Sequence, residues 1–529
     1  MKIKDSFTPQ ILLVDDEKGF CKVLHIYLKD AGYQSIVANS IVEAKTIIST
    51  TSIQCIILDL YMGPRSYVPD GLEVLDYLRS RLYIIPTIII TEKPNDQNIS
   101  RVFNDYRNYV ISYVSKIRFG FKENIIKEIN NSFNSPAGIN WDLELCFHDG
   151  ISLDKMTQLI KDLAIENRQM IELIGKVFTK PRRVDIFPLK PGFSGAGVVR
   201  VIPQYHVAPV DQLIMGEMCV LKYGDQQKIS TEVTNYNNYV DLLTKNNRRT
   251  TLLGEPAYTR QLGALVYSFL GTDSQKMISF SEFYKNTIDI GRIKEILENL
   301  FDDTCSIWYS EKKLDFINFS EKHEPDKIEI DDWVSRNEPD LLTKRFIPFD
   351  EIDLSLPNPL LLMSKLGNKT YQIYKSITHG DLNGNNIFVD QSKKETWLID
   401  FYKTDYDHIF VDFTKLETVI KFELLENRNL GMLLEAEKYM LLPDQLTTEI
   451  NLPKGQLPIE IEKMINTINL IRYFASQYTQ PRLIDITPYY LSLFYTTAKA
   501  LTFDTNDYYN RRYILLSLCL LGEKLSAIL

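Results

Sequence analysis

The sequence predicts a multidomain fold of class α/β plus α+β, in which a doubly wound α/β domain precedes a bilobal α+β domain with a helical second lobe. Apolar runs alternate with amphipathic stretches over the first 130 residues, strands and a glycine-rich turn follow from about Val184, and helical patterns dominate from about Ser279. A chain of 529 residues has room for two to four domains. The predicted ranges are a first domain over 1–130, a linker over 131–180, and a second domain over 181–529, with lobes at 181–275 and 276–529.

The first domain is predicted from short apolar segments that are separated by amphipathic ones. Its clearest apolar runs are ILLV (Ile11–Val14), CIIL (Cys55–Leu58) and TIII (Thr87–Ile90). Continuous apolar strands are typical of a parallel sheet that helices cover on both faces. In such a sheet, ligands bind at the carboxyl ends of the strands.

Polar residues stand where these strands end. Asp15 and Asp16 follow the first run, Asp59 follows the second, Thr91 follows the third, and Lys116 follows a fourth apolar run, YVISYV. We expect these groups to converge on one crevice, because parallel strands place their carboxyl ends at the same edge. Carboxylates there suit Mg²⁺, and a threonine and a lysine suit phosphoryl oxygens.

In order and spacing these residues resemble the response-regulator receiver family over about the first 125 residues. The resemblance implies a flavodoxin-like fold and a sensor histidine kinase or phosphotransfer protein as partner. Asp59 is the implied phosphoacceptor. The other implied roles are Mg²⁺ ligation by Asp15, Asp16 and Asp59, phosphoryl contact by Lys116 and Thr91, and switching by Thr91 with Tyr113.

A polar, turn-rich segment over Asn130–Asn140 marks the start of the linker. Beyond it, Ser152 is placed to cap a helix whose apolar residues recur at three- and four-residue intervals from Met156 to Val177. We predict one amphipathic helix that packs within its own domain. A homodimer formed through this stripe is the alternative.

The second domain contains the stretch ITHGDLNGNNIFVD, followed after a charged turn by WLIDFY. The runs IFV and WLI predict a hairpin that brings Asp381, Asn386 and Asp400 to one end. A carboxylate five residues before an amide, joined by a second carboxylate, offers one base and two oxygen ligands for phosphate-bound Mg²⁺.

This HGDxxxxN pattern with a following IDF resembles the aminoglycoside phosphotransferase and choline kinase branch of the protein-kinase-like superfamily. The resemblance implies ATP and Mg²⁺ as cofactors and Asp381 as the catalytic base. It further implies Asn386 and Asp400 as metal ligands, with His379 supporting the loop.

Upstream residues fit a nucleotide site under the same resemblance. A phosphate-binding loop corresponds to the glycines of KPGFSGAGVVRV. Its charged pair corresponds to the lysine of CVLK and a later glutamate, and the hinge under adenine corresponds to FL in ALVYSFLG. Each also has an ordinary interpretation as a hairpin turn, a solvated strand end or a helix-start carboxylate. The nucleotide-binding candidates are Gly192, Gly195, Gly197, Lys222, Glu232, Phe269 and Leu270.

Charge, hydropathy and cysteine spacing argue against several classes of partner and location. The net charge is -9 and the acidic excess lies beyond residue 130, which argues against nucleic acid as a partner. The sequence shows neither a signal peptide nor an apolar run of membrane-spanning length, and its six cysteines form no CxxC pair. We therefore predict a cytoplasmic protein with reduced thiols and no membrane partner.

Together these patterns predict a response regulator in which phosphorylation of Asp59 regulates an ATP-dependent phosphotransferase that acts on an alcohol-group acceptor. The alternatives are a receiver-controlled nucleotide-binding pseudokinase that serves as a scaffold, and a Ser/Thr protein kinase. The acceptor is not readable from the sequence. Asp405, Asp407 and Asp412 follow the metal ligand closely and would suit a cationic acceptor, although such runs are usually solvated faces.

Overall fold

The computed structural model describes the chain except for residues 7, 63–68, 93–101, 117–119, 134, 136–137, 161–162, 164, 190–195, 208–211, 242–248, 270–276, 364–365, 367–368, 453–454, 480–484 and 505. The chain forms two compact units. The first unit comprises Met1–Val233 and Thr251–Phe269, and the second comprises Thr234–Thr250 and Leu270–Leu529.

The first unit begins with a parallel five-stranded sheet in the order β2-β1-β3-β4-β5. Its strands are β1 (Gln10–Val14), β2 (Gln34–Ala38), β3 (Cys55–Asp59), β4 (Thr87–Thr91) and β5 (Val110–Ser115). The helices around it are α1 (Lys18–Asp30), α2 (Ile41–Thr50), α3 (Leu72–Ser80) and α4 (Phe121–Phe133). This is the doubly wound order that the alternating sequence pattern predicts, and that prediction is confirmed.

Helices cover both faces of this sheet because alternate residues of each strand face opposite sides. On one face, Leu12 and Ile56 pack with residues of α2 and α3, whereas on the other Leu13 and Ile57 pack with α1 and α4. Strand β3 is therefore buried along its whole length. The phosphoacceptor candidate Asp59 is the last residue of this rigid element.

A second sheet of the first unit has seven strands, ordered β11-β12-β10-β8-β7-β6 with β9 paired to β8. Its strands are β6 (Glu144–Phe147), β7 (Arg183–Pro188), β8 (Gly197–Val207), β9 (Gln212–Met215), β10 (Cys219–Asp225), β11 (Ala257–Tyr258) and β12 (Leu262–Ser268). The accompanying helices are α5 (Leu153–Gln158), α6 (Asn167–Val177) and α7 (Gln226–Asn235).

The predicted single linker helix is wrong, because the stripe is divided between α5 and α6. Ser152 caps the first helix, and its side chain accepts a hydrogen bond from the Lys155 N–H. The second helix begins after Glu166, whose backbone is extended. Met156 and Met170 nevertheless lie in one hydrophobic core under the seven-stranded sheet. The apolar spacing thus reflects one shared core instead of one continuous helix.

The segment before β1 contributes to this second core and not to the first. Ile3 is fully buried there, and the Ile3 N–H donates to the Leu143 carbonyl at 3.0 Å. The Leu145 N–H donates to the Met1 carbonyl at 2.8 Å. A side chain on Gly175 of α6 would collide with Ile3 and Ile139, so this glycine permits the close packing.

The second unit contains more strands than the predicted helical lobe. They are β13 (Met277–Ser279), β14 (Lys313–Asn318), β15 (Phe346–Phe349), β16 (Leu354–Pro357), β17 (Thr370–Thr378), β18 (Ile387–Asp390), β19 (Glu395–Leu398) and β20 (Asp405–His408). Its helices are α8 (Phe280–Asn286), α9 (Ile290–Glu298), α10 (Ser306–Ser310), α11 (Phe319–Lys322), α12 (Glu324–Asn337), α13 (Leu360–Met363), α14 (Phe410–Thr418), α15 (Leu430–Met440), α16 (Ile459–Thr479), α17 (Thr487–Ala500) and α18 (Tyr508–Ile528).

Two general predictions concern thiols and membranes. All six cysteines are free thiols, as the sequence predicts. Among the helices of the described residues, none combines the length and the apolar character needed to cross a membrane.

Candidate functional site

The carboxyl edge of the five-stranded sheet brings three predicted site residues into direct contact. The Lys116 Nζ lies 2.6 Å from the Asp15 Oδ2 and 2.7 Å from the Asp59 Oδ2. All three side chains are buried. The convergence follows from the parallel order, because β1, β3 and β5 end on the same side.

Burial and charge act against each other in this contact. Burial raises the pKa of Asp59, although hydrogen bonding to Lys116 and the lysine's charge counteract part of that effect. Burial alone would lower the pKa of Lys116, but its hydrogen bonds to Asp15 and Asp59 outweigh burial and raise the pKa. The lysine therefore remains a cation beside the carboxylates.

Asp15, Asp16 and Asp59 form a set of oxygen donors that fits a divalent cation. One carboxylate oxygen from each lies within 4.8 Å of the others, and Asp16 is exposed while its two companions are buried. Hard cations such as Mg²⁺ prefer oxygen ligands and usually retain several waters, which an exposed carboxylate allows. The donor set therefore fits the Mg²⁺ that the sequence predicts.

The predicted switch residues lie on neighbouring strands at the same edge. Thr91 is the buried last residue of β4, and its carbonyl accepts a hydrogen bond from the Lys116 N–H at 3.2 Å. Tyr113 lies two residues before the end of β5, opposite Ile89, and is half-buried. Thr91 is thus adjacent to the acidic site, while Tyr113 lies farther down the paired strand.

Gly71 is a site residue that the motif alone did not single out. A Cβ at this position would lie 2.3 Å from the Asp59 carbonyl oxygen, so only glycine permits the approach. The Gly71 N–H donates to the Leu60 carbonyl at 3.1 Å, and the Asp70 carboxylate accepts from the Met62 N–H at 2.9 Å. These bonds fix the backbone that follows Asp59.

The second candidate site is built on the loop between β17 and the β18–β19 hairpin. The Asn386 side-chain amide donates to the Asp381 carbonyl at 2.9 Å, and the Ile399 N–H donates to the Asn386 carbonyl at 3.1 Å. Ile387 pairs with Leu398 in the antiparallel hairpin. Asp400 therefore comes directly after the residue that faces Asn386, so the backbone brings all three predicted residues to one end of the hairpin.

The loop is anchored by Asp412 of α14. Its carboxylate accepts hydrogen bonds from the His379 N–H at 2.8 Å, the Gly380 N–H at 2.9 Å and the Tyr309 hydroxyl at 2.8 Å. Asp412 is fully buried, and burial raises its pKa. The suggestion that Asp412 attracts a cationic acceptor is therefore wrong, since this carboxylate holds the loop backbone.

The remaining acidic residues of that suggestion also have internal partners. Asp405 accepts a hydrogen bond from the Tyr239 hydroxyl, and Asp407 pairs with Lys322. His379 supports the loop as predicted, since its Nε2 lies 2.9 Å from the Ile399 carbonyl oxygen.

Gly380 is required by its backbone conformation. Its φ of +75° lies in the left-handed region, and a Cβ there would lie 2.1 Å from the Lys403 carbonyl oxygen. Asp400 also has a positive φ, of 65°, which is uncommon for a residue with a side chain. Strained backbone of this kind is concentrated at functional sites in proteins.

Lysines surround the Asp381 carboxylate. Burial opposes its ionisation, but the charges of Lys415 and Lys403 outweigh burial and lower the pKa. The Lys415 Nζ is 3.4 Å from the Asp381 Oδ1, and the Asp381 side chain retains 29% exposure. Asp381 is therefore an ionised carboxylate that remains partly exposed.

The first unit contains the predicted charged pair. The Lys222 Nζ of β10 lies 2.7 Å from a carboxylate oxygen of Glu232 in α7, and both residues are buried. The Tyr267 hydroxyl donates to the other Glu232 oxygen at 2.9 Å. Lys222 is therefore an internal lysine of a central strand, not a solvated strand end.

The other nucleotide-binding candidates are only partly described. Gly197 begins β8, and a Cβ on it would collide with the Tyr223 ring at 2.2 Å, while Phe269 follows β12. Gly192, Gly195 and Leu270 lie outside the described residues.

The sheet order and the acidic site define a receiver domain at the start of the chain, and the response regulator receiver domain family matches residues 11–116. NtrX-like response regulators of Rickettsia typhi and Rickettsia felis are 35% and 32% identical to the chain over 81 residues. Each match covers 15% of this chain and 17% of the relative. The chain thus matches less than a fifth of the length of these relatives.

Beyond the receiver, the ternary complex associated domain 9 family matches residues 183–325 and 341–491. The match includes more than half of the chain, so the protein belongs to this family. The description differs from the aminoglycoside phosphotransferase or choline kinase family, so kinase-like activity stays a prediction.

Solved structures similar to the chain include a CheY-like receiver domain protein from Methanospirillum hungatei JF-1. It is 18% identical, with a TM-score of 0.21, over 24% of this chain and 93% of that protein. The receiver domain of Francisella response regulator 1452 is 25% identical, with the same TM-score, over 24% of this chain and 97% of that domain.

Proposed function

We propose that the protein is a response regulator in which phosphorylation of Asp59 controls ATP-dependent phosphoryl transfer at Asp381. The incoming phosphoryl group would come from a sensor histidine kinase or a phosphotransfer protein. Asp59 would attack the phosphorus, so that the bond to the donor's histidine nitrogen breaks as the acyl phosphate forms. Lys116 and Thr91 would contact the phosphoryl oxygens, and Asp15, Asp16 and Asp59 would hold Mg²⁺.

The anchored Asp381 loop is the observation that carries the catalytic part of the proposal. Asp381 and Asn386 are joined by a hydrogen bond, Asp400 lies at the same hairpin end, and Asp412 fixes the preceding backbone. An ionised, partly exposed carboxylate at the same hairpin end as two candidate oxygen ligands suits phosphoryl transfer, in which proteins mainly position groups and stabilise charge.

Each residue of this site has a separate role in the proposed reaction. Asn386 and Asp400 would hold Mg²⁺, which neutralises charge on the phosphates when bound. Asp381 would accept a hydrogen bond from the acceptor hydroxyl and take its proton as the oxygen attacks the γ-phosphorus of ATP, while the bond from that phosphorus to the β-phosphate oxygen breaks and ADP leaves. In the first unit, Lys222, which lies 2.7 Å from Glu232, remains the predicted contact for ATP phosphates.

The test measures ATP hydrolysis and transfer to added alcohols and proteins by the purified chain with Mg²⁺. We expect Asp381→Asn to lower turnover by about 10²–10⁴-fold, the usual contribution of a positioned base. The matched control is Asp390→Asn at the other end of the hairpin, where an asparagine can still accept the Ser392 N–H hydrogen bond. Unchanged turnover in Asp381→Asn would remove this residue from the mechanism.

Other outcomes distinguish the alternatives. Binding of ATP without turnover would favour a nucleotide-binding scaffold over an enzyme. Labelling of protein substrates in place of small alcohols would favour a Ser/Thr protein kinase.

A further inference from the structure

Helix α6 contains a buried ion pair that the proposed mechanism does not use. The Lys176 Nζ lies 3.0 Å from the Glu172 Oε1, one helical turn away. The Glu172 side chain is fully buried and that of Lys176 is 7% exposed. Burying charges in this way is costly, and apolar residues of similar volume often stabilise a protein as well or better. The pair therefore needs an explanation besides stability.

Both members of the pair contact the receiver. The Glu172 Oε2 accepts hydrogen bonds from the Ser52 hydroxyl at 2.6 Å and from the Gln54 side-chain amide at 3.0 Å. The Lys176 Nζ donates to the Ile84 carbonyl at 3.0 Å. These are charge-assisted hydrogen bonds, which are shorter and stronger than neutral ones.

The same lysine also reaches the seven-stranded sheet. Its Nζ donates to the carbonyl of Tyr258, the last residue of β11, at 3.3 Å. Nearby, Gln169 of α6 bonds to Gln261 at 2.8 Å, and Arg260 donates to the Ser49 carbonyl of the receiver at 3.1 Å. The β11–β12 turn is therefore held by α6 and by the receiver together.

The receiver groups in this contact stand at the opposite ends of the strands that form the phosphoacceptor site. Gln54 directly precedes β3, which ends in Asp59, and Ile84 lies three residues before β4, which ends in Thr91. Both strands are five residues long and buried throughout. A displacement at one end of such a strand has a direct, packed route to the other.

We propose that the Glu172–Lys176 pair couples the receiver to the seven-stranded sheet, so that occupation of the Asp59 site alters the β11–β12 turn. The signal leaves the receiver at the amino ends of β3 and β4. The proposal rests on the proposed function only in assuming that the seven-stranded sheet belongs to the part of the chain that binds ATP. The contact itself can be tested without ATP or phosphoryl transfer.

The test is hydrogen–deuterium exchange of the full chain with Mg²⁺, with and without beryllofluoride as a phosphoryl mimic. The reporter is the β11–β12 turn, where the Thr259 N–H donates to the Leu262 carbonyl at 2.8 Å. We expect its exchange rate to change by about fivefold or more, the lower end of usual coupling between sites. No change at this turn in the natural sequence would overturn the proposal.

Variants test whether the ion pair carries the effect. Glu172→Gln and the double variant Glu172→Met with Lys176→Met should abolish the response at the turn while the β3 segment still responds. The double variant leaves neither charge buried alone, so it protects the test against a folding failure of the single change. The matched control is Glu166→Gln, at the exposed start of α6, which should respond like the natural sequence. A retained response in the double variant would overturn the proposal.

A failure of this test and a failure of the proposed function look different. Loss of ATP turnover in every assay, with an intact exchange response, would refute the phosphotransfer and leave the coupling. Normal ATP turnover with no change in exchange at the β11–β12 turn would refute the coupling and leave the phosphotransfer.

Discussion

The charge of Lys415 opposes the effect of burial and, with the charge of Lys403, lowers the pKa of Asp381. Lys415 lies 3.4 Å from Asp381 and contacts the Phe503 ring at 5.1 Å, so one helix residue connects the loop to the helical core. Lys415 stands three positions after Asp412 on α14, and residues three apart share a helix face. One face of this helix therefore fixes both the backbone and the charge of the loop.

Replacing Lys415 with alanine should move the acid limb of the pH–rate profile to higher pH. The lysine lowers the pKa of Asp381, so its loss raises that pKa. As the pH falls, the carboxylate that accepts the proton is then protonated at a higher pH than in the natural sequence. The measurement is ATP turnover across the acid range. Lys415→Arg keeps the charge and should leave the limb near its original position. An unmoved limb in the alanine variant would contradict this role.

Gly380→Ala should cost about 3 kcal/mol in the free energy of unfolding, measured with urea. The alanine must adopt a left-handed φ and also displace the Lys403 carbonyl, which would lie 2.1 Å from its Cβ. Gly455→Ala separates these two effects, since its φ is +77° but no atom of the residues that the structure describes lies within 4 Å of the added Cβ. We expect that control to lose only about 1 kcal/mol. Equal losses would show that the contact with Lys403 is unimportant.

Among the elements, those with a local sequence pattern were predicted and those fixed by distant packing were not. The convergence of Asp15, Asp59 and Lys116 follows from strand ends in a parallel sheet, and the hairpin carrying Asp400 follows from two apolar runs. The anchoring by Asp412 was missed because its partners lie over thirty residues away in the sequence. A lone carboxylate within the apolar run FVDF was the available signal.

Glu172 was missed for the same reason. It occurs within the apolar stripe QMIELI, and its receiver partners, Ser52 and Gln54, precede it by more than a hundred residues. The division between α5 and α6 was also unreadable, since both helices supply one core and the spacing of apolar residues is preserved across the break. Tertiary packing overrides helix propensity in such segments.

The junction of β20 with α11 predicts a pH-dependent stability. His408, the last residue of β20, packs edge-on against Phe319 at 5.2 Å, and neither of its ring nitrogens has a hydrogen-bond partner among the described residues. Burial lowers the pKa of His408 from 6.5 to about 3. The unfolded chain therefore binds this proton more readily, and the stabilising contribution present above pH 6.5 is lost as the pH falls towards 3.

This contribution should amount to a loss of about 2 kcal/mol between about pH 7.5 and about pH 5. His408→Phe should flatten that part of the profile of unfolding free energy against pH, because phenylalanine has no proton to gain. The same change at exposed His206 should leave the profile as it was. A profile that keeps its slope in His408→Phe would show that other groups cause it.

At the scale of the whole molecule, regulation requires that the two ligand sites influence each other's stability. Beryllofluoride with Mg²⁺ and ATP with Mg²⁺ should each raise the melting temperature, by an amount equivalent to about 2.7 kcal/mol at a hundredfold excess over Kd. If the sites are coupled, the shift with both ligands differs from the sum of the separate shifts. Asp59→Asn should remove the beryllofluoride shift alone. Strictly additive shifts would contradict regulation of the second site by the receiver.

The path of the first residues has a practical consequence for engineering. Ile3 lies in the core beneath the seven-stranded sheet, and Met1 bonds to Leu145 there, although the chain then enters the five-stranded sheet at Gln10. Replacing residues 1–130 with another receiver domain would remove Ile3 from the core beneath the seven-stranded sheet and leave a cavity there. A chimera should therefore keep residues 1–5 of this protein in front of the new receiver. The alternative is to transfer the five-stranded and seven-stranded sheets together.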